Sequence, residues 1–184
     1  MIEGYYVGSS LMEATMYNEG VSDATSTETD TIKVELHNTG SPYAVVESVK
    51  TILYYDGTAT TVFSGSRTSN SYYIAIKHRN TVQTWSNSAV SFTATTSYDF
   101  TTASSKAYGN NMINVDTGVW SLYNGDVNQD ENIDLIDYSI LNTDIDDGAF
   151  GYYATDLNGD GNVDLLDWPV MSDNIDNGIY SVHP

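Results

Sequence analysis

The chain carries one 24-residue pattern twice. GDVNQDENIDLIDYSILNTDIDDG (Gly125–Gly148) aligns without a gap on TDLNGDGNVDLLDWPVMSDNIDNG (Thr155–Gly178) at an offset of 30, with 10 of 24 positions identical. A fixed period of this kind marks a duplicated supersecondary unit. In the first copy Asp126, Asn128, Asp130, Asn132, Asp134 and Asp137 stand at positions 1, 3, 5, 7, 9 and 12 of a loop, and Asp156, Asn158, Asp160, Asn162, Asp164 and Asp167 repeat that spacing. Alternate residues of a tightly curled loop face inward, so oxygens at 1, 3 and 5 converge. Position 7 offers its backbone carbonyl, position 9 acts through water, and position 12 closes the shell from a helix start. Every donor is a hard oxygen, which selects Ca²⁺ over zinc or copper. Mg²⁺ is disfavoured because it demands a tight octahedron. The expectation is two calcium ions. A merely solvated acidic loop pair would not place apolar Ile133 and Val163 at position 8 of both copies.

Beyond each loop apolar residues recur at helical spacing, Leu135, Ile136, Ile140, Leu141 and Ile145 in one copy and Leu165, Leu166, Val170, Met171 and Ile175 in the other. One helix per copy is predicted, the two apolar faces packing across a pseudo-two-fold axis with Tyr138 and Trp168 at equivalent positions. Pro169 is tolerated only in a first helical turn, so the second helix is expected to begin close to Trp168.

Charge divides the chain in the same way. Of 25 acidic residues, 15 follow Lys106, the last basic residue, and no Lys or Arg accompanies them. The first 106 residues hold 34 Ser and Thr, the last 78 only 7. Two units are therefore expected, residues 1–118 and 119–184. In the first, Thr31–His37 alternates Ile32, Val34 and Leu36 with Lys33, Glu35 and His37, and Ser71–Arg79 alternates Tyr72, Ile74 and Ile76 with Tyr73, Ala75 and Lys77. That period of 2 predicts strands. Further strands are expected at residues 2–7, 44–54, 60–63, 89–92 and 98–100, with turns at Asn38-Thr39-Gly40, Asp56-Gly57 and Ser64-Gly65-Ser66. Leu11–Tyr17 fits either a helical turn or a strand extension. The fold class that follows is mainly β, an antiparallel β-sandwich followed by a small α unit.

Two loops ending in Asp at position 12, about 30 residues apart and each followed by one helix, resemble the dockerin type I repeat. The resemblance covers Gly125 to Asn177 and implies calcium ligation at the twelve residues named. One departure is Glu131 at position 6, where the second copy has Gly161. PYAVVESVKTIL, SYYIAIKHRNTVQTWS, YDFTTASSKAYGNNM and VWSLYNGDVNQD resemble a C-terminal module of large secreted bacterial surface proteins. There a prealbumin-like or carboxypeptidase-regulatory-like β-sandwich precedes such a repeat. This implies a secreted, extracellular or cell-surface location, with any export signal outside the chain.

Several function classes are excluded or disfavoured. A formal charge of −19 repels nucleic acid and anionic lipid. No apolar run approaches the roughly 20 residues that span a bilayer. The absence of Cys removes disulfide, zinc-thiolate and thiol chemistry. The three His lie apart at 37, 78 and 183, and no G-x-S-x-G elbow occurs. Glu3, Glu13, Glu19, Glu28, Glu35 and Glu47 have no catalytic context, and His78 with Arg79 reads as a strand-end pair bonding turn carbonyls and covering an aromatic. No enzymatic activity is expected. The favoured reading is a structural subunit that self-associates into a homo-oligomer or fibre, its first strand (Ile2–Val7) pairing head-to-tail with a neighbour. The alternative is a binding module for a cohesin-type protein or, through paired tyrosines, a carbohydrate. Metal removal is expected to unfold Tyr123–Tyr180 and leave the front unit intact.

Overall fold

The computed structural model describes every residue from Met1 to Pro184. The chain is mainly β with antiparallel sheets and few helices. Its first strands, β1 (Tyr6–Gly8) and β2 (Leu11–Met12), form a two-stranded ribbon, followed by a single helical turn, α1 (Thr15–Asn18). Leu11–Tyr17 thus contains both of the elements its sequence allowed. The main sheet is built from β3 (Glu28–His37), β4 (Val45–Tyr54), β5 (Ser71–His78) and β6 (Thr81–Trp85) in the order β4-β3-β5-β6. A short β7 (Val90–Ser91) pairs with the start of β5. A second ribbon joins β8 (Ile113–Asp116) to β9 (Val119–Ser121), and two helices close the chain, α2 (Leu135–Asp146) and α3 (Trp168–Asp176).

The alternation read in β3 and β5 is realised. Ile32, Val34 and Leu36 are buried with Tyr72 and Ile74, and Met1, Ile2, Tyr5, Met12 and Leu53 complete this core. On the opposite face Glu35 is also buried, with Lys33 at 3.4 Å, His37 at 3.2 Å and Lys77 at 3.6 Å around its carboxylate. The expected second sheet is not a continuous layer. The two ribbons and long loops lie over the core face instead, Met12 and Val119 packing on it, and the loops surround a cavity of about 840 Å³ lined by Phe63, Phe92, Tyr98 and Phe100. Residues 60–63 and 98–100 form no ladder; Thr51 Oγ1 takes the Thr60 carbonyl, and side chains bond the backbone next to both segments. Thr93 donates its N–H to Thr96 Oγ1, Asp99 accepts from the Thr101 N–H and hydroxyl, and Glu47 accepts from the Ser64 N–H and hydroxyl. Side chains that satisfy nearby backbone groups compete with strand pairing. Conversely, β6 escaped the pattern because all five of its residues are buried, and a strand covered on both faces shows no alternation.

That double cover comes from the duplicated segment. Val82 belongs to the second core, with Ile133, Leu141, Leu157, Val163 and Met171. The Val82 N–H donates to Tyr123 O, and Ser181 Oγ donates to Gln83 O. The amino-terminal residues are also used internally. Ile2 bridges Leu122, and Glu3 Oε2 accepts from the Asn124 N–H at 3.1 Å and from Asn174 Nδ2 at 2.7 Å. The segment expected to pair with a neighbour is therefore engaged with its own chain, where Ile2 is wholly buried.

Gly4 lies so close to the Leu157 backbone that a Cβ would collide with the Leu157 carbonyl oxygen. Gly4→Ala must push the second loop away, an overpacking effect worth about 1–3 kcal/mol. The expected result is a lowered melting temperature by circular dichroism and faster proteolysis after residue 122; an unchanged melt would show that the junction yields freely.

Candidate calcium centre: two duplicated loops

The two copies adopt the same hydrogen-bond frame at positions 3, 5, 9 and 12 and differ in one of the two bonds at position 1. At position 1, Asp126 accepts from the Asp130 and Glu131 N–H groups, and Asp156 from those of Gly159 and Gly161. At position 3, Asn128 and Asn158 each accept from the N–H of position 5 at 2.8 Å. Position 5 accepts from the N–H of position 7 at 3.0 Å in one copy and 2.9 Å in the other. At position 9, Asp134 and Asp164 accept from the N–H groups of Ile136 and Leu166, both at 2.7 Å. At position 12, Asp137 accepts from Val127, Asn128 and Asp134 N–H groups, and Asp167 from Leu157, Asn158 and Asp164. Asp134 and Asp137 thereby form a capping box that starts α2. The third helix opens at Trp168 with Pro169 in its first turn, where a missing N–H costs nothing.

The copies also clasp one another crosswise. The position 8 N–H of Ile133 donates to Ile179 O after α3, and that of Val163 donates to Ala149 O after α2. Ser181 N–H returns to Glu131 O and Gly151 N–H to Gly161 O, both at 2.7 Å. Every partner is related by the same offset of 30, which is the expected pseudo-two-fold relation. Leu141 and Met171 are its buried centre, and the rings of Tyr138 and Trp168 meet with centroids 4.4 Å apart.

Not all of the apolar residues after the loops are packed. Leu135, Ile136, Leu165 and Leu166 are 68%, 58%, 74% and 66% exposed. In α2 successive residues turn by about 100°, so with Asp137 facing the loop interior Leu135 and Ile136 face out; Leu165 and Leu166 face out from the turn before α3.

Positions 1 and 12 are buried in both copies. Burial pushes Asp126 up to about 7, with the Asp137 carboxylate adding to it, and pushes Asp167 up to about 6. Asp137 is raised for the same reason. Asp130 at position 5 is held below its ordinary value by hydrogen bonds from the Asn128 amide and the Asn132 N–H. No three carboxylate or imidazole groups converge as a set around one point. The side-chain amides of Asn128 and Asn158 instead donate to the position 5 carboxylates, at 3.0 and 3.1 Å, taking lone pairs that a cation would otherwise use. The donor chemistry still fits a hard divalent cation: each loop offers carboxylate, amide and carbonyl oxygens, and the duplicated segment has no Lys or Arg to compete.

The loops differ at two turns. Gly159 and Gly161 have φ of 76° and 85°, whereas Gln129 and Glu131 hold 61° and 76° with side chains that disfavour that region. Glu131 is tied to the sheet, its Oε1 accepting from Gln83 Nε2 at 2.6 Å. The departure from Gly at position 6 thus supplies an anchor on β6.

A buried polar group lies between the sheet and the second loop, and its chemistry was not visible in the sequence. Asp30 Oδ2 approaches His78 Nε2 at 3.0 Å and accepts from Arg79 Nε at 2.9 Å, while Oδ1 accepts from the Tyr152 hydroxyl. Arg79 Nη2 donates to Tyr5 OH at 2.7 Å, and its guanidinium lies over the Tyr152 ring. The Tyr5 hydroxyl and Asn80 Nδ2 both donate to Asp156 O at 3.3 Å. The strand-end pair therefore binds a carboxylate rather than turn carbonyls, and the aromatic it covers is Tyr152. A carboxylate–imidazole pair can serve as a general base, but neither side chain here has any exposed surface to meet a substrate. No protein-family model, curated protein or solved structure matches the chain.

Proposed function

We propose that the chain is a non-enzymatic, calcium-stabilised structural module of an extracellular bacterial assembly. In this reading residues 119–184 are a dockerin-like pair of calcium loops, and the front unit is a reduced sandwich whose second layer is ribbons and loops. One observation carries the reading: hydrogen bonds repeated at an offset of 30, each copy holding two buried carboxylates in a segment without Lys or Arg. Bound calcium would neutralise charge where it is densest and fix two turns against β6. Asp126, Asn128, Asp130, Asn132, Asp134 and Asp137 would hold one ion, and Asp156, Asn158, Asp160, Asn162, Asp164 and Asp167 the other.

Self-association into a homo-oligomer or fibre belongs to the same proposal; Ile2 and Glu3 serve their own chain, so of the first strand it is the exposed Val7 edge that is left for a neighbour. A second reading rests on Leu135, Ile136, Leu165 and Leu166. Their exposure at duplicated positions favours a binding module for a cohesin-type protein partner.

Titration calorimetry should find two Ca²⁺ per chain, with Asp126→Ala and Asp156→Ala each removing one and the double variant removing both. Asp156→Ala should lower the calcium-loaded melting temperature more, because its loop also receives Tyr5 and Asn80. A wild-type chain that takes up no Ca²⁺ at millimolar concentration overturns the proposal.

A further inference from the structure

The second loop is pressed against α1 and the residue after it, Glu19. Thr15, the first residue of α1, is wholly buried, and its hydroxyl has no hydrogen-bond partner. It faces the loop at Gly159, where a Cβ would come within 2.5 Å of Thr15 Oγ1. Glu19 lies four residues later on the same side, and a Cβ at Gly161 would come within 3.3 Å of its Cγ. Both carboxylate oxygens of Glu19 are closed off from solvent and accept no hydrogen bond. They lie beside position 1 of the loop, because the Gly161 backbone against which Glu19 packs donates its N–H to Asp156 Oδ2 at 3.2 Å.

Two buried carboxylates directed at one another repel strongly unless a proton or a cation lies between them. Solvent does not reach the Glu19 oxygens and no hydrogen-bond donor reaches them; the cation that bears on them, the Arg79 guanidinium, is already paired with Asp30. The first loop has no such carboxylate: those bearing on Asp126 are its own Asp137 and Asp130, and its side-chain contacts with the sheet are the Gln83 amide on Glu131 and the Gln129 amide on Thr81 O. Glu19 stands outside the duplicated pattern, so the repeat could not reveal it.

We propose that Glu19 is a calcium ligand contributed from outside the repeat, closing the second site across the junction between the sheet unit and the loop unit. This rests on the calcium reading given above. It makes the two sites unequal, since one is assembled from a single loop and the other needs α1 seated against it. Calcium at the second site then clamps α1 to the loop, while the first site relies on the Glu131–Gln83 contact.

The test uses the full chain with Ca²⁺ and with Tb³⁺ as a luminescent stand-in. Glu19→Gln keeps the shape and removes the charge. It should weaken one of the two Ca²⁺ sites by about tenfold or more and leave the other unchanged, since affinity in such sites follows ligand charge. Tb³⁺ luminescence lifetimes in H₂O and D₂O should show an added water at that site. In chelator the same variant should melt higher than wild type, because a repulsive pair is gone; this also shows that it folds. Two Ca²⁺ affinities unchanged within twofold in Glu19→Gln would overturn the proposal, as would an unchanged water count, and either would indicate a shared proton between Glu19 and Asp156. A wild-type chain that binds no calcium would instead defeat the calcium reading itself.

Discussion

Chelation of the calcium-loaded protein should lower the melting temperature of the whole chain by roughly 10–20 °C in one transition. The magnitude follows from linkage. A ligand at 100 times its dissociation constant stabilises by about 2.7 kcal/mol per site, so two sites contribute about 5 kcal/mol. For a chain of this length each kcal/mol shifts the melt by about 2–4 °C. Charge alone suggested a separable tail that would unfold by itself, leaving the front unit intact. The packing argues for a shared fate. Val82 of β6 has its apolar contacts in the core of the duplicated segment, and releasing that segment takes both donors from Glu3 and removes the bonds of Asn80 and Tyr5 to Ala154 O and Asp156 O. Each buried polar group left unsatisfied costs about 1–3 kcal/mol, and those costs fall on the front unit. Differential scanning calorimetry in millimolar Ca²⁺ and in chelator, with the melt also followed by Trp120 and Trp85 fluorescence, distinguishes the two outcomes. A chelated sample in which a front transition persists at its calcium-loaded temperature would show the units to be independent.

The loops were legible in the sequence because they were written twice. Oxygen-bearing residues at fixed offsets are a one-dimensional signal, and neither their spacing nor the position of Pro169 depends on distant contacts. The strands β3 and β5 were legible for a related reason: one apolar face gives a period of 2. Legibility ended where distant segments meet. Thr81–Trp85 is covered on both sides and so loses its period. Residues 60–63 and 98–100 carry strand-like composition, yet they pair in no ladder, and side chains bond the backbone at Thr60, Ser64 and Thr101. Leu135 and Leu165 look like core residues, but the demand that Asp137 and Asp167 face inward turns them outward. Asp30, His78, Glu19 and Tyr152 come from separate parts of the chain, and only the folded junction assembles them.

That junction carries the second large effect. Asp30→Asn should cost about 3–5 kcal/mol at neutral pH, the usual cost of breaking a buried ion pair from one side. Asp30 is fully buried and faces two basic side chains, and the amide cannot balance the Arg79 guanidinium. Burial alone would raise the Asp30 carboxyl, but His78 and Arg79 override it and hold the group well below its ordinary value of 3.8. A depressed carboxyl contributes stability that is fully present above the unfolded value and is lost as pH falls toward the folded one. The gap between wild type and Asp30→Asn should therefore be widest above about pH 4 and shrink as the pH falls below it. Because Tyr152 and, through Arg79, Tyr5 bind the same cluster, the variant should also loosen the second loop, seen as faster amide exchange at Leu157 and Gly159. Asp30→Leu combined with Arg79→Met removes both charges and should recover part of the loss, since an apolar replacement of a whole buried pair is often neutral. Urea unfolding of the three proteins at pH 7 and pH 3.5 checks each step. A single Asp30→Asn variant within 1 kcal/mol of wild type at pH 7 would mean that solvent reaches the cluster and that the junction is held by the apolar contacts of Val82 and Leu157 alone.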